Sequence, residues 1–469
     1  MAILATCCLS LLIVTMDATI VNVALGSIRS QLHADVSSLQ WTIDIYTLVL
    51  ASLLMVSGAA ADRYGRRRVF LIGLTAFAIG SLVCSLAPSI GILIAARAVQ
   101  AVGGSMLNPV AMSIITQTFL DPGQRARAIG VWGSVVGISM AAGPMIGGVL
   151  IDWMDWRAVF WINLPVCAAA ICFTILFIPE SRSPVVRALD PVGQTLAIVA
   201  LGGVVFGLIE GPEQGWRSTR TLIVFTLAII AFIGFLTWER RHPNPFIDLR
   251  FFASIPFASA TIVAVFAFAS WAGFLFLMSL YLQEVRGFRA VGTGAMLLPA
   301  AVAVFVCSPI SARAVARWGT RPSLVFAGTA LLVSSALMLK VDDHTSIPAL
   351  TAIFAVFGLG LGAINAPITN SAIAGMPRHR AGAASAVAST SRQIGVGLGV
   401  ALAGSVTGLT TTHFDAGFAN TAHAMWWIVI GFSTMILALG IVSTTSWAAR
   451  TRDDVARTLI TPEIADAHR

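Results

Sequence analysis

The feature that most constrains this chain is a repeated one: fourteen apolar stretches, each long enough to cross a bilayer as a helix, separated by short polar turns. A spanning helix needs roughly 20 apolar residues, because hydrocarbon offers no partner to a bare backbone N–H or C=O. The cores lie at about 3–28, 39–61, 69–87, 91–118, 128–150, 158–178, 190–209, 220–238, 256–283, 291–312, 322–339, 347–374, 382–409 and 423–447. Only 11% of the 469 residues are charged and 57% are hydrophobic, whereas soluble domains carry ~25% charged residues. No polar segment is long enough to fold separately. The expected fold is an all-α membrane protein with fourteen transmembrane helices.

A net charge of +8 could point to nucleic acid, but its distribution points elsewhere. With the N-terminus in the cytoplasm, most Lys and Arg fall in cytoplasmic loops and the tail, few fall outside, and Arg97 and Arg392 lie within helices. This is the positive-inside pattern of a multi-pass protein of the cell (inner or plasma) membrane with both termini cytoplasmic. The first stretch is too long for the apolar region of a signal peptide and lacks a basic flank, so it reads as a permanent span. The six cysteines sit in apolar stretches without metal-ligand spacing. No metal or cofactor is expected.

A repeat is visible in the loops. "ADRYGRRR" (61–68) is echoed by "ARWGTR" (316–321), and "RARA" (125–128) by "RAGA" (380–383), at nearly equal offset. The offset carries the second helix onto the tenth and the fifth onto the thirteenth. A repeat unit of six with two helices inserted explains this: a first bundle at 1–180, two inserted helices with flanking loops at 181–254, a second bundle at 255–447, and a disordered cytoplasmic tail at 448–469. Two parallel six-helix bundles with a site between them describe an alternating-access transporter.

The polar residues inside the apolar stretches are the candidate site. An ionised carboxylate at mid-bilayer depth costs at least ~2.5–3.5 kcal/mol, so Asp17 must earn its place. Burial raises a carboxyl pKa and a nearby arginine lowers it, a balance suited to a proton carrier. Arg97, at compatible depth, is the leading partner. A structural ion pair is the competing reading. Thr15, Thr19, Asn22 and Gly26 share one stripe of the first helix, with Asp17 nearly opposite. Either that stripe touches substrate while Asp17 faces a neighbouring helix, or it only packs.

Asp44, flanked by Trp41 and Tyr46, is the second buried acid and a second proton-coupling candidate; an interfacial anchor is its bland alternative. Arg392 and Gln393 form the polar centre of the thirteenth helix. Arg392 is expected to face the cavity, to pair with a first-bundle carboxylate, or to meet backbone carbonyls. Glu210 and Glu213 read as loop acids, and Trp153, Trp156, Trp161, Trp216, Trp426 and Trp427 as an interfacial belt. In 62–68, Gly65 allows a tight turn and Asp62 can accept a bidentate guanidinium bond. Gly137, Gly143, Gly147 and Gly148 with Pro144 make the fifth helix small-faced and bendable.

Several segments resemble the major facilitator superfamily, and within it the 14-helix drug:proton antiporters. "GAAADRYGRRRVFLIG" (58–73) is similar to the family's signature loop, which implies a conformational latch of Gly58, Asp62, Arg63, Gly65, Arg66 and Arg67 between bundles. "RAVQAVGGSMLNP" (97–109) resembles the proton-transfer motif and adds Gln100 and Asn108 as substrate-facing candidates. "GISMAAGPMIGGVL" (137–150) resembles the antiporter motif, and "MDATIVNVAL" (16–25) the subfamily's first-helix motif. "WTIDIYTLVLAS" (41–52) and "WRAVFWINLP" (156–165) fit the same subfamily. Gly26 departs from it, where proline is usual.

The resemblance implies a proton-coupled antiporter of small amphipathic compounds or drugs, working as a monomer among membrane lipids. An exporter or flippase of a dedicated lipid-like or biosynthetic product is the alternative within transport, and a membrane sensor or scaffold the alternative outside it. No GxxxxGK[ST], HExxH or GxSxG pattern supports ATP use or an enzyme.

Overall fold

The computed structural model describes residues 1–182, 190–242, 245, 247–377, 380–407 and 418–466. Its helices are α1 (Ala2–Leu32), α2 (Val36–Tyr64), α3 (Arg66–Ser85), α4 (Ile90–Thr118), α5 (Pro122–Trp153), α6 (Ala158–Phe177), α7 (Pro191–Gln214) and α8 (Thr219–Arg241). They continue with α9 (Ile255–Leu280), α10 (Ala290–Trp318), α11 (Thr320–Met338), α12 (Ile347–Ile373), α13 (Ala381–Thr407), α14 (Phe418–Val442) and α15 (Ser446–Asp466). Side chains of Asp35, Asp121 and Asp190 accept backbone N–H bonds at the starts of α2, α5 and α7, satisfying donors that each helix leaves open. The α2–α3 turn is closed by Gly65 at φ +112°, a conformation that favours glycine.

Among the described residues, twelve helices are long and apolar enough to cross a membrane, where the sequence suggested fourteen. The two others are α5 and α13. Helix α5 bends by 42° between Met140 and Ala142 and would make a thirteenth. Pro144 sits where its missing N–H and its ring disturb the carbonyl one turn back. Helix α13 carries Arg392, Gln393 and the run Ser389, Thr390, Ser391 through its middle, which lowers its hydropathy.

The pairing pattern repeats. In the first half α1 packs on α5 and α6, α2 on α4, and α3 on α4 and α6. Eight helices on, α9 packs on α13 and α14, α10 on α12, and α11 on α12 and α14. Two long seams join the halves, α5 against α10 and α2 against α13, and each is the image of the other under the same shift.

The inserted pair flanks the second seam. Helix α7 touches α2 and α13, with Val205 and Ile209 packed on Ala401. Helix α8 presents Ile229, Ile230, Phe232 and Ile233 outward.

Three expectations need correction. The tail is helical: Ala448, Val455 and Leu459 are buried, and Thr451 Oγ1 accepts the Ile255 N–H at the start of α9. Glu210 and Glu213 lie within the last turns of α7, not in a loop. Of the tryptophans expected at an interface, Trp153, Trp161, Trp216 and Trp427 are exposed, but Trp156 and Trp426 are buried.

Candidate functional site

Asp17 sits wholly inside the first half. Arg97 on α4 donates to it through Nη1, Gln100 through Nε2 at 2.8 Å, and Asn163 on α6 through Nδ2 at 3.0 Å. Ser81 on α3 accepts from Gln100 and Asn163. Arg97 also donates through Nε to the Thr42 carbonyl on α2 at 3.1 Å, and its guanidinium lies 4.2 Å from the Tyr46 ring centroid. Both charged groups are sealed, at 0% and 1% exposure. Five helices are stitched together at this point. Removing either member would leave the other charge unpaired in a dry interior, where breaking a buried pair is expensive. Gln100 and Tyr46, expected to face substrate, belong to this hub instead.

Asp44, on α2, is as deeply buried and has no such company. Neither carboxylate oxygen has a hydrogen-bond partner. Asp44 lies on the seam with α13, where a Cβ at Gly397 would meet Thr47 Oγ1 at 3.3 Å and Asp44 Oδ1 at 3.8 Å. A bare buried carboxylate carries a desolvation cost of several kcal/mol with nothing to offset it.

Contacts between the halves gather toward the end that carries the α1–α2 turn. Gln40 donates to the Val400 and Ala401 carbonyls at 2.7 and 3.1 Å, and Gln283 to the Val23 carbonyl at 3.0 Å. Ion pairs Arg29–Glu284 and Arg289–Asp152 lie at the same end. Along α5, a Cβ on Gly148 would meet the Ala290 carbonyl at 2.5 Å, and one on Gly137 the Phe305 ring at 3.2 Å, while Gly133 and Gly130 face open space. The seam is therefore shut at one end and loosens toward the other, the end with the α2–α3 loop. Gly143 and Gly147 of the same helix press on Thr19 and Ile20 of α1, so the Thr19 side of the polar stripe packs. At Gly26 the side chain of Gln283 occupies the space a Cβ would need.

At the loosened end the α2–α3 loop is fastened to its own half. Asp62 accepts from Arg66 Nη2 at 2.8 Å. Glu180, just past α6, accepts the Arg67 N–H at 3.1 Å, and Arg67 Nη2 donates to the Ile175 carbonyl at 2.7 Å. Among the described residues, the expected latch makes no hydrogen bond or ion pair to the other bundle. Gly58 lies beside Pro109 of α4, and Arg63 lies over Tyr64.

Trp41, expected to meet substrate, donates its indole N–H to Glu210 of α7 at 2.9 Å, and Gln194 of α7 donates to the Ser52 carbonyl at 3.1 Å. Asn22 and Asn108 keep an unpartnered side-chain carbonyl oxygen each. Thr15 turns its hydroxyl back to the Leu11 carbonyl. Among the described residues Arg392 meets no carboxylate; its Nη2 donates to Thr369 Oγ1 on α12 at 2.8 Å, and the neighbouring Gln393 is half-buried.

Asn163, Ser81, Gln40 and Gln283 were not singled out from sequence. Each is a polar residue inside or at the end of an apolar helix, and that was the available signal.

Comparison with known proteins gives three findings. The family model described as Major Facilitator Superfamily matches residues 7–400. The multidrug resistance protein Stp of Mycobacterium tuberculosis (strain CDC 1551 / Oshkosh) is 38% identical over 85% of this chain and 74% of its own length. The tetracenomycin C resistance and export protein of Streptomyces glaucescens is 35% identical over 84% and 73%. Among solved structures, a bacterial homologue of the human drug peptide transporters PepT1 and PepT2 superposes with a TM-score of 0.66 at 14% identity, covering 97% of this chain and 99% of that one.

Proposed function

The chain belongs to the Major Facilitator Superfamily, and from that premise we propose that it is a proton-coupled antiporter exporting small amphipathic compounds across the cell membrane, a transporter and not an enzyme. The relatives named for multidrug resistance and for antibiotic export support this reading. Residues 1–180 and 255–447 act as the two rocking bundles (378, 379 and 408–417 lie outside the described residues), 181–254 as the inserted flank (183–189, 243, 244 and 246 lie outside them), and a single copy suffices. The basic α2–α3 loop marks the cytoplasmic face, so both termini are cytoplasmic and the shut end is external.

The observation that carries the mechanism is the unpartnered Asp44 on an inter-bundle seam. When the bundles part externally, Asp44 meets water and takes a proton; when they close, the neutral acid is sealed against α13. Release to the cytoplasm requires the α2–α13 seam, still closed over Asp44 in this conformation, to part further, and a charge moving inward through 100 mV yields ~2.3 kcal/mol to drive export. The Asp17–Arg97 hub holds α1, α2, α3, α4 and α6 as one body. Gly143, Pro144, Gly147 and Gly148 let α5 close tightly on α1 and α10, limiting leak. Asp62 and the arginines of its loop engage the second bundle only when the cytoplasmic end shuts.

Export of one dedicated product is a second reading, favoured by the relative named for the resistance and export of a single compound.

The test uses proteoliposomes loaded at acid pH, diluted into neutral buffer containing a fluorescent amphiphile. Antiport moves the amphiphile into the acid lumen, and a protonophore abolishes the accumulation. Uptake indifferent to the imposed gradient overturns the antiport reading.

A further inference from the structure

The second bundle carries one interior charge that the cycle above does not use. Arg392 lies midway along α13, in the half of the molecule where the bundles stand apart. Its Nη2 rests on the hydroxyl of Thr369, an exposed residue of the central helix α12. Its Nε has no partner, and its guanidinium carbon is 6.0 Å from the centroid of the Phe268 ring on α9. Among the described residues no carboxylate lies within ion-pair range of it.

An arginine in a membrane interior is costly and normally paired. Asp17 answers Arg97 in this way; Arg392 has a hydroxyl, a ring face and an unused N–H. A guanidinium presents five donors in a fixed planar fork that matches a carboxylate or a sulfonate in two-point contact, and the charge-assisted bond strengthens as water is excluded. The Phe268 ring beside it offers an apolar surface for the rest of such a molecule.

We propose that Arg392 is the anion-recognising group of the transport site, and that the preferred cargo is an amphiphile bearing one negatively charged group. This rests on the export reading and names the substrate class of the same site. The anionic group settles on Arg392 against Thr369, the apolar body lies along Phe268, and the substrate supplies the counter-charge the protein lacks.

The experiment measures equilibrium binding of two matched probes, 1-pyrenebutyrate and 1-pyrenebutylamine, to the full chain in lipid nanodiscs without any gradient. Wild type should bind the carboxylate at least tenfold more tightly than the amine. Arg392→Gln should cut that ratio at least tenfold, Arg392→Lys should restore part of it by keeping charge without the fork, and Thr369→Val should lower it less. A wild-type preference for the amine, or a ratio unmoved in Arg392→Gln, overturns the proposal. The first outcome needs no variant to fold. Because no gradient is applied, loss of the preference with intact gradient-driven uptake removes this inference alone. The preference without such uptake removes only the proton coupling.

Discussion

Asp17 and Asp44 are both buried acids of the first bundle, at 0% exposure each, yet their surroundings are opposite. Asp17 accepts from a guanidinium and two amides contributed by α4 and α6, all within one body. Asp44 accepts from nothing and lies where that body meets the other. A charge enclosed by its own bundle experiences the same neighbours whichever way the protein opens. A charge on a seam exchanges a dry wall for water each time the seam parts. In the proposed cycle, therefore, the surface a carboxyl is buried against, and not burial alone, decides which acid carries the proton.

The sharpest way to break this comparison is to remove one member of the hub. Arg97→Gln strands Asp17 with amide donors only, and losing one partner of a buried pair costs ~3–5 kcal/mol. The melting temperature of the purified protein should fall steeply, and the double variant Asp17→Asn with Arg97→Gln should recover part of the loss. A double variant no more stable than Arg97→Gln alone would show that the two charges are not coupled.

Asp44→Asn gives the opposite signature. Asn resembles the neutral acid in size and polarity, so stability should change far less than in Arg97→Gln. Gradient-driven uptake should drop at least tenfold, a barrier change of ~1.4 kcal/mol, while exchange of substrate for substrate without net proton movement persists. Unimpaired gradient-driven uptake would return the proton to some other group.

Much of this was legible in the residues. Apolar stretches of spanning length located the helices, although twelve of the fourteen pass as spans among the described residues, and two short loop echoes pointed to the repeat seen in the pairing of α1–α6 and α9–α14. Depth along α1 and α4 was enough to match Asp17 with Arg97. What sequence could not carry was rotation. Gln100 and Tyr46 turn into the hub and Trp41 turns to Glu210, because a helix face is assigned by its neighbours and not by its own periodicity when every face is apolar. The isolation of Asp44 is invisible for a related reason: lacking a partner is a property of the surrounding helices. The tail helix was missed for its many charges, although Ala448, Val455 and Leu459 recur at helical spacing.

The smallest effect is expected at the end that carries the α2–α3 loop, where a third acid occupies an intermediate situation. Asp248 caps the short turn Leu249–Ala253 before α9, accepting from the Arg250 N–H at 3.1 Å and from the Arg250 side chain, and Arg380, at the start of α13, reaches it at 3.2 Å. Burial alone would raise its pKa, but the bonds from Arg250 and the charge of Arg380 hold it below the usual carboxylate value. A depressed folded-state pKa gives stability that is present above the ordinary carboxylate range of ~4 and is lost as pH falls through the folded value. The contribution is therefore complete at neutral pH and disappears only in acid. Both arginines are partly solvated, so Asp248→Asn should cost no more than ~0.2–1 kcal/mol, read as a small shift in melting temperature at pH 7 that vanishes below about pH 4. A shift that persists in acid would assign the loss to the cap and not to the ion pairs. It would leave Asp17 as the charge whose partners measurably stabilise the fold.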